Sequence, residues 1–145
     1  MAEAKKTLNE LLVNLFNYIL VIEEKNLKQQ GIKLSMTEVH VLESIYNCRT
    51  KIMSEVAEAL MVTRGTLSVG VDRLAKKGYV VREKDRYDGR VVHLKLTDQA
   101  YQVLQIHKKF HDEMIAHLTA DMDIEDNSQL INTLDTALTY FKGKI

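Results

Sequence analysis

Residues 53–78 read MSEVAEALMVTRGTLSVGVDRLAKKG, and this stretch decides the fold. Its first part predicts a short helix over residues 54–60, because the apolar side chains recur on one helical face. Thr63 follows a turn, and its side-chain oxygen is placed to accept the backbone N–H of Thr66 as a helix N-cap. Two short helices joined by a tight turn are typical of a helix-turn-helix.

The second helix of this stretch has two different faces. Apolar or small residues form one stripe, which consists of Leu67, Gly70, Val71 and Leu74. The opposite face consists of Arg64, Ser68, Val69, Asp72, Arg73 and Lys76. Gly78 comes after two lysines and predicts the end of the helix, where cations interact favourably with the helix dipole. We expect the apolar stripe to anchor this helix and the other face to be free for recognition.

The hydrophobic period changes to two after this helix, which predicts two strands over residues 79–84 and 91–96. The intervening residues 85–90 read DRYDGR, a turn-rich segment in which Gly89 is available for a positive φ. We expect a β-hairpin that presents Arg86 and Arg90 near its tip. A hairpin in this position is called a wing, and here the wing comprises residues 79–96.

Basic residues are concentrated in this part of the chain. Residues 63–95 contain nine Lys or Arg and four Asp or Glu, a net charge of +5 in a chain whose total charge is zero. Residues 121–135, in contrast, contain five acidic residues and no basic one. A basic face on a helix and a wing is the electrostatic pattern of a protein that reads duplex DNA. We therefore predict double-stranded DNA as a partner.

The composition narrows the class of protein. A chain of 145 residues with 46% hydrophobic content predicts one domain with a substantial core. The longest apolar run, residues 11–22, is too short for a membrane span and contains two asparagines, so we expect neither a span nor a signal peptide. The single cysteine, Cys48, fits a reducing cytoplasm. No glycine-rich or nucleophile motif indicates an enzyme.

Helices with apolar stripes flank the helix-turn-helix and the wing. The first helix is apolar over most of its circumference, so we expect part of it to be buried against a second copy of the chain. Residues 35–38 read SMTE, a capping box that opens the next helix. The predicted order is α-α-α-α-β-β-α-α, a mostly α fold with a small β-hairpin. We assign residues 35–97 to a DNA-binding lobe, and residues 1–34 and 98–145 to dimerisation helices.

This order of elements resembles the MarR family of winged-helix transcriptional regulators. The segment 60–78, the wing with Asp88 and Arg90, and residues 94–97 (LKLT) carry the resemblance, which covers nearly the whole chain. It implies a homodimeric repressor on a pseudo-palindromic operator, with the recognition helix in the major groove. Arg90 matches the wing arginine that enters the minor groove, braced by Asp88.

The remaining candidate DNA contacts follow from this resemblance and from side-chain chemistry. Arg86 at the wing tip is expected to contact phosphate, and Val69 is suited to contact with a thymine methyl group. The recognition-helix candidates are Arg64, Thr66, Ser68, Val69, Arg73 and Lys76. A winged helix used only for protein contacts would not need basic residues on both the helix and the wing.

A narrower resemblance is to the FabT-like subgroup of this family, which represses fatty-acid synthesis genes. It rests on short segments, which are residues 14–17 (NLFN), 20–24 (LVIEE), 60–66 (LMVTRGT), 90–94 (RVVHL) and 107–111 (HKKFH). The resemblance implies acyl-acyl carrier protein as a corepressor. An acyl chain would need an apolar cavity, for which the candidate lining residues are Phe16, Ile19, Leu20, Val39 and Phe110. The same residues fit an ordinary core equally well.

Four residues leave a zinc-responsive repressor open as the alternative function. His107 and His111 have the four-residue spacing that places two imidazoles on one helical face, as in many zinc sites. Zinc-responsive MarR repressors add a glutamate of the first helix and a histidine of the second, which match Glu24 and His40. They also take a further ligand near residue 30, where this chain has Lys28 and neither cysteine nor histidine. We therefore expect these four residues to form a hydrogen-bonded structural cluster without a cofactor. A metallohydrolase centre built from the histidines and Glu24 would lack the supporting glycine-rich or nucleophile motifs.

Overall fold

The computed structural model describes residues 2–145, which form six helices and one antiparallel hairpin. The elements are α1 (Ala2–Gln29), α2 (Met36–Asn47), α3 (Met53–Ala59), α4 (Arg64–Lys76), β1 (Val80–Lys84), β2 (Val92–Leu96), α5 (Asp98–Leu118) and α6 (Ser128–Lys142). This order and the mostly α fold with a small hairpin confirm the sequence prediction. Within residues 2–145, no helix has the combination of length and hydropathy needed to cross a membrane.

The chain divides into two compact units, and the division falls inside α5. The first unit extends to Lys108, and the second comprises residues 109–145. The first unit contains α1 to β2 and the first half of α5, whereas the second contains the end of α5 and all of α6. This division follows backbone packing, so the assignment of residues 35–97 to DNA binding and of the flanking residues to dimerisation stays a prediction.

The hydrophobic core lies in the first unit and is built mainly from α2, α3, α4 and the wing. Its most deeply buried large side chains are Leu27, Leu42, Ile45, Met53, Leu74, Leu94, Val39, Val56 and Val71. In α4 the residues that point into this core are Leu67, Val71 and Leu74, as the apolar stripe predicted. The core therefore fixes the rotation of α4 about its own axis and leaves its other face in solvent.

The predicted capping box opens α2 and is tied to the end of α4. The Ser35 Oγ atom accepts the Glu38 N–H at 3.2 Å, and the Glu38 carboxylate accepts the Ser35 N–H at 2.9 Å. The Lys77 ammonium lies 2.9 Å from the Glu38 carboxylate. Partial burial raises the pKa of Glu38, but the hydrogen bonds from Lys77 and from the Ser35 backbone outweigh this effect and lower it. This ion pair holds the C-terminal end of α4 against the start of α2.

The turn between α3 and α4 contains a strained residue. Met61 has a φ of 56°, in the left-handed region where a side chain costs about 1 kcal/mol or more. Two hydrogen bonds hold this conformation, from Met61 N–H to Glu58 O and from Val62 N–H to Ala57 O, each 3.0 Å long. The Met61 side chain is exposed, so the strain is confined to the backbone. The turn sets the angle at which α4 leaves α3.

The wing is attached to the core along its second strand. β1 and β2 pair from Val80 opposite Leu96 to Lys84 opposite Val92. The Leu94 N–H donates to Lys51 O at 2.7 Å, and Ile52 forms an isolated bridge with His93. The segment before α3 therefore pairs with β2 like a short third strand. This pairing holds β2 beside the helix-turn-helix.

Candidate nucleic-acid interface

The exposed face of α4 carries most of the residues predicted to read DNA. Arg73, Lys76 and Val69 are exposed, and Val69 exposes 54% of its surface although it is an aliphatic residue. Ser68 is half-buried on the same helix. An exposed aliphatic side chain on a face that also carries cations is suited to contact with the methyl group of thymine in a major groove. The DNA contacts themselves stay predictions.

The first turn of α4 is organised by Thr63. Its Oγ1 atom accepts the Thr66 N–H at 3.1 Å, which is the predicted N-cap. The Thr63 hydroxyl also lies 2.9 Å from the Thr66 hydroxyl and donates to it. Thr66 was predicted as a groove contact, and in this structure its hydroxyl is already engaged by the cap. Its first contribution is therefore to the geometry of the helix start.

The turn of the wing is shaped by Asp85. Its Oδ2 atom accepts the N–H groups of Tyr87 and Asp88, both at 3.0 Å, and its Oδ1 atom lies 2.8 Å from His93 Nε2. The hydrogen bond from His93 and the two backbone N–H groups lower the pKa of Asp85 to about 2. Gly89 was available for a positive φ but does not adopt one, because only Gly31 and Gly78 have positive φ among the glycines of residues 2–145. The carboxylate of Asp85 shapes the turn instead.

The two residues expected to act in the minor groove lie in contact with each other. The Asp88 Oδ1 atom accepts the Arg90 Nε–H at 3.1 Å and the Arg90 backbone N–H at 3.0 Å, and Oδ2 accepts from Nη2 at 3.2 Å. The hydrogen bonds from the Arg90 side chain and backbone lower the pKa of Asp88. The Arg90 side chain is 90% exposed, so its guanidinium is oriented by Asp88 while it projects into solvent.

The wing tip carries one exposed aromatic residue that sequence reasoning missed. Tyr87 exposes 90% of its surface, and the Arg86 guanidinium lies 6.0 Å from the centre of its ring. A cation near an aromatic face at this distance is stabilised modestly at an exposed site. The signal in the sequence was the tyrosine between two charged residues in a turn. Arg86 is exposed as predicted, and its phosphate contact stays a prediction.

Two side-chain contacts join the wing to α4. The Arg64 Nη2 atom donates to Arg90 O at 2.7 Å, across 26 residues of sequence. Arg82 of β1 forms an ion pair with Asp72 on the exposed face of α4. Sequence reasoning assigned Arg64 to DNA and gave Arg82 and Asp72 no joint role. No local pattern could have paired these residues, because their proximity depends on how the wing folds beside α4.

The residues proposed to line an acyl pocket do not form one lining within the first unit. Val39 is completely buried in the core, Phe16 exposes 69% of its surface, and Ile19 is half-buried. Leu20 is exposed, and Phe110, which belongs to the second unit, packs edge-to-face against the His111 ring. Val39 is thus a core residue. A shallow cleft of about 380 Å³ lies elsewhere in the first unit, lined by His40, Glu43, Ser44, Asn47, Cys48, Ala59 and Leu60.

The candidate metal ligands differ from the prediction at one position. Glu24 is exposed, whereas its neighbour Glu23 is buried, so the inward carboxylate of α1 is one residue earlier than expected. Glu23 and the buried His107 offer ligand atoms within 4.8 Å of each other. The ring of His40 lies 6.4 Å from that of His107, and His107 Nε2 is 3.4 Å from the Glu43 carboxylate. The first unit therefore contains a polar cluster of imidazoles and carboxylates.

Two helices leave apolar side chains exposed within their own units. In α1 the exposed large apolar residues are Leu8, Leu11, Leu12, Val13, Leu15, Phe16, Tyr18, Leu20, Val21 and Ile22. In α6 no residue is buried, and the exposed apolar residues are Ile131, Leu134, Leu138, Tyr140 and Phe141. Groups of exposed apolar side chains such as these indicate interaction sites.

The sequence is similar to known transcriptional regulators. A model of the MarR family matches residues 34–92. The uncharacterized HTH-type transcriptional regulator YkoM of Bacillus subtilis is 30% identical over 101 residues, which cover 70% of this chain and 66% of YkoM. The transcriptional regulator AdcR of Streptococcus pyogenes is 29% identical over 115 residues, which cover 75% of this chain and 78% of AdcR. The matched proteins are transcriptional regulators rather than enzymes.

Solved structures with the same fold include DNA complexes. FabT of Streptococcus pneumoniae in complex with DNA matches with a TM-score of 0.87 and 32% sequence identity, over 97% of this chain and 99% of the FabT chain. The complex of S. aureus MepR with DNA matches with a TM-score of 0.71 and 21% identity, over 91% of this chain and 96% of the MepR chain. The second likeness shows the fold alone, whereas the first combines the fold with sequence similarity.

Proposed function

This chain belongs to the MarR family of winged-helix transcriptional regulators, and we propose that it represses fatty-acid synthesis genes as a cytoplasmic homodimer on a pseudo-palindromic operator. The likeness to the DNA-bound FabT structure is the observation that carries the proposal, because it extends over 97% of this chain at 32% identity. Long-chain acyl-acyl carrier protein is the proposed corepressor.

The distribution of charged and apolar groups supports the mode of DNA binding. α4 presents Arg73, Lys76 and Val69 to solvent, which suits base edges and phosphates in the major groove. The wing projects Arg90 beside it, and a guanidinium is attracted by the negative potential of a narrow minor groove. One subunit would thereby contact two adjacent grooves.

A homodimer would match the two-fold symmetry of the proposed pseudo-palindromic operator, and it is supported by the exposed apolar residues of α1 and α6. Two recognition helices about 34 Å apart would contact successive major grooves on one side of the duplex. A corepressor acts by favouring the dimer geometry that has this spacing, so acyl-acyl carrier protein must bind that geometry more tightly than others.

A zinc-responsive repressor is the second candidate, and the polar cluster of the first unit favours it. Glu23 and His107 are buried and near each other, and carboxylate and imidazole groups are common zinc ligands. His40 lies beside His107, and His111 follows it by four residues along α5. In this alternative, zinc would replace the acylated carrier as the signal.

One titration separates the two signals. The purified protein is titrated by fluorescence anisotropy onto promoter DNA of its own gene and of a fatty-acid synthesis gene. Parallel titrations contain palmitoyl-acyl carrier protein, the carrier without an acyl chain, zinc chloride, or EDTA. We expect the palmitoylated carrier to lower the dissociation constant at least tenfold, about 1.4 kcal/mol, while the unacylated carrier has no effect.

The outcomes distinguish the candidates. A dissociation constant that depends on zinc and EDTA but not on the acylated carrier would favour the zinc-responsive repressor. Equal affinity for both promoters and for an unrelated duplex, under every condition, would contradict sequence-specific regulation of fatty-acid synthesis. A His107→Gln variant is the matched control for the zinc effect. It removes an imidazole of the polar cluster and leaves the residues of α4 and the wing unchanged.

A further inference from the structure

We propose that Arg64 is a positioning residue that fixes the wing at a set distance from the recognition helix, so that Arg90 reaches the minor groove when α4 occupies the major groove. The proposal rests on the DNA binding described above and gives Arg64 a role beyond a groove or phosphate contact. The observation that carries it is the hydrogen bond from Arg64 Nη2 to Arg90 O, 2.7 Å long.

The positions of the donor and the acceptor explain how this hydrogen bond can restrain the Arg90 side chain. Arg64 is the first residue of α4, and Arg90 lies in the loop that joins β1 to β2. The acceptor is the backbone carbonyl of the same residue whose guanidinium projects into solvent. Holding this carbonyl therefore fixes the point from which the Arg90 side chain begins.

The base of the wing is already held by other contacts. The Tyr79 N–H donates to Leu74 O at 2.9 Å, and the Thr97 N–H donates to Tyr79 O at 3.1 Å, so both ends of the hairpin are tied to the end of α4. The ion pair between Arg82 and Asp72 adds a link between β1 and α4. These contacts do not hold the loop between β1 and β2, whereas the Arg64 bond to Arg90 O joins that loop directly to α4.

Hydrogen bonds within the loop transmit this restraint to the Arg90 guanidinium. Asp88 accepts from the Arg90 backbone N–H and from its side chain, and the Val91 N–H donates to Asp88 O at 3.0 Å. Asp85 accepts the Asp88 N–H in turn. These bonds connect the Arg90 carbonyl to its guanidinium through Asp88, so holding the carbonyl should also restrain the direction of the guanidinium.

A double-mutant cycle tests this role. Duplexes bound by the parent protein are first selected from a random pool, and affinities are then measured for Arg64→Met, Arg90→Ala and the double variant. We expect Arg64→Met to weaken binding about fivefold in the parent and to have almost no further effect when Arg90 is alanine. The Arg90→Ala variant keeps the carbonyl but has no guanidinium to position.

Lys76→Met provides the matched control, because it removes a cation from the other end of α4. Its effect on affinity should be the same whether residue 90 is arginine or alanine. An Arg64→Met effect of the same size in both backgrounds would overturn the proposal and make Arg64 an independent DNA contact. If the parent protein enriched no duplex, sequence-specific DNA binding would be contradicted instead.

Amide hydrogen exchange tests the tether without DNA. The Val91 N–H lies within the restrained loop, so Arg64→Met should speed its exchange several-fold, whereas Lys76→Met should not. Unchanged exchange at Val91 in the Arg64→Met variant would contradict the tether even if DNA affinity fell. Faster exchange together with the non-additive affinities supports it.

Discussion

α4 and α6 have the same kind of sequence and different surroundings. Both are amphipathic helices of similar length, 13 and 15 residues, with apolar residues every three or four positions. In α4 the stripe Leu67, Val71 and Leu74 is buried in the core of the first unit, whereas in α6 Leu138 exposes 54% of its surface and no residue is buried. Periodicity thus predicts the apolar face of a helix but not what covers it.

The apolar face of α4 is buried within one chain, whereas the apolar face of α6 needs a partner to cover it. The core around α4 orients its exposed face, so this part of the proposed DNA interface is formed before DNA arrives. The apolar face of α6 remains exposed within the second unit and is available to another copy of the chain, as proposed above. Identical substitutions in the two helices should therefore have different consequences.

The largest effect is expected for Leu74→Ala. Leu74 is completely buried, so its truncation removes apolar contacts and leaves a cavity, which should lower the free energy of unfolding by about 2–5 kcal/mol. Urea denaturation at several protein concentrations measures this loss, which should be about the same at each concentration. A loss below about 1 kcal/mol would show that the core does not hold α4 in the manner described.

A smaller effect, dependent on concentration, is expected for Leu138→Ala. If α6 is covered by a second copy, truncation should raise the dimer dissociation constant roughly tenfold or more, because a buried leucine contributes about 1.5–3 kcal/mol. Sedimentation equilibrium measures the change, and Thr139→Ala on the same helix is the control. An unchanged dissociation constant would remove Leu138 from the dimer interface.

The smallest effect is expected in the turn of the wing and appears as a change in pH dependence. The Asp85 pKa of about 2 lies below its ordinary value of 3.8, so this group contributes stability above about pH 4 that is lost as the pH falls through about 2. His93→Ala removes the largest cause and should move the Asp85 pKa upward, toward 3.8. Carboxyl chemical shifts measured by NMR between pH 5 and 2 follow this change.

Lys95→Ala is the control for this titration, because Lys95 lies on the same strand and pairs with Glu83, 3.0 Å away. It should leave the Asp85 titration unchanged. An Asp85 pKa that stayed near 2 in the His93→Ala variant would show that the backbone N–H groups of Tyr87 and Asp88 are sufficient to hold the carboxylate.

Local signals predicted most of the structure of residues 35–97. The Thr63 cap, the apolar stripe of α4 and the termination at Gly78, which has a φ of 86°, depend on residues close together in sequence. Strand alternation predicted the wing for the same reason. These features are fixed by hydrogen bonds and burial over a few residues. The local sequence is therefore sufficient to predict them.

Contacts between distant residues could not be predicted. The Arg64 bond to the Arg90 carbonyl depends on the path of the wing, and a basic residue at the start of a recognition helix suggests DNA first. α1 is apolar around most of its circumference, so periodicity could not decide between Glu23 and Glu24 as the buried carboxylate. At Gly89, a turn residue indicated a positive φ, but the side chain of Asp85 shapes the loop by accepting backbone N–H groups.

The most direct test of the DNA-reading surface is the affinity of Arg90→Ala for a duplex that the parent protein has selected. We expect a dissociation constant at least tenfold higher, about 1.4 kcal/mol, with the dimer and its thermal unfolding unchanged. We also expect a weaker preference for A·T pairs where the wing meets the minor groove. Equal affinity of the variant and the parent, with both folded and dimeric, would contradict the assignment of the wing to DNA recognition.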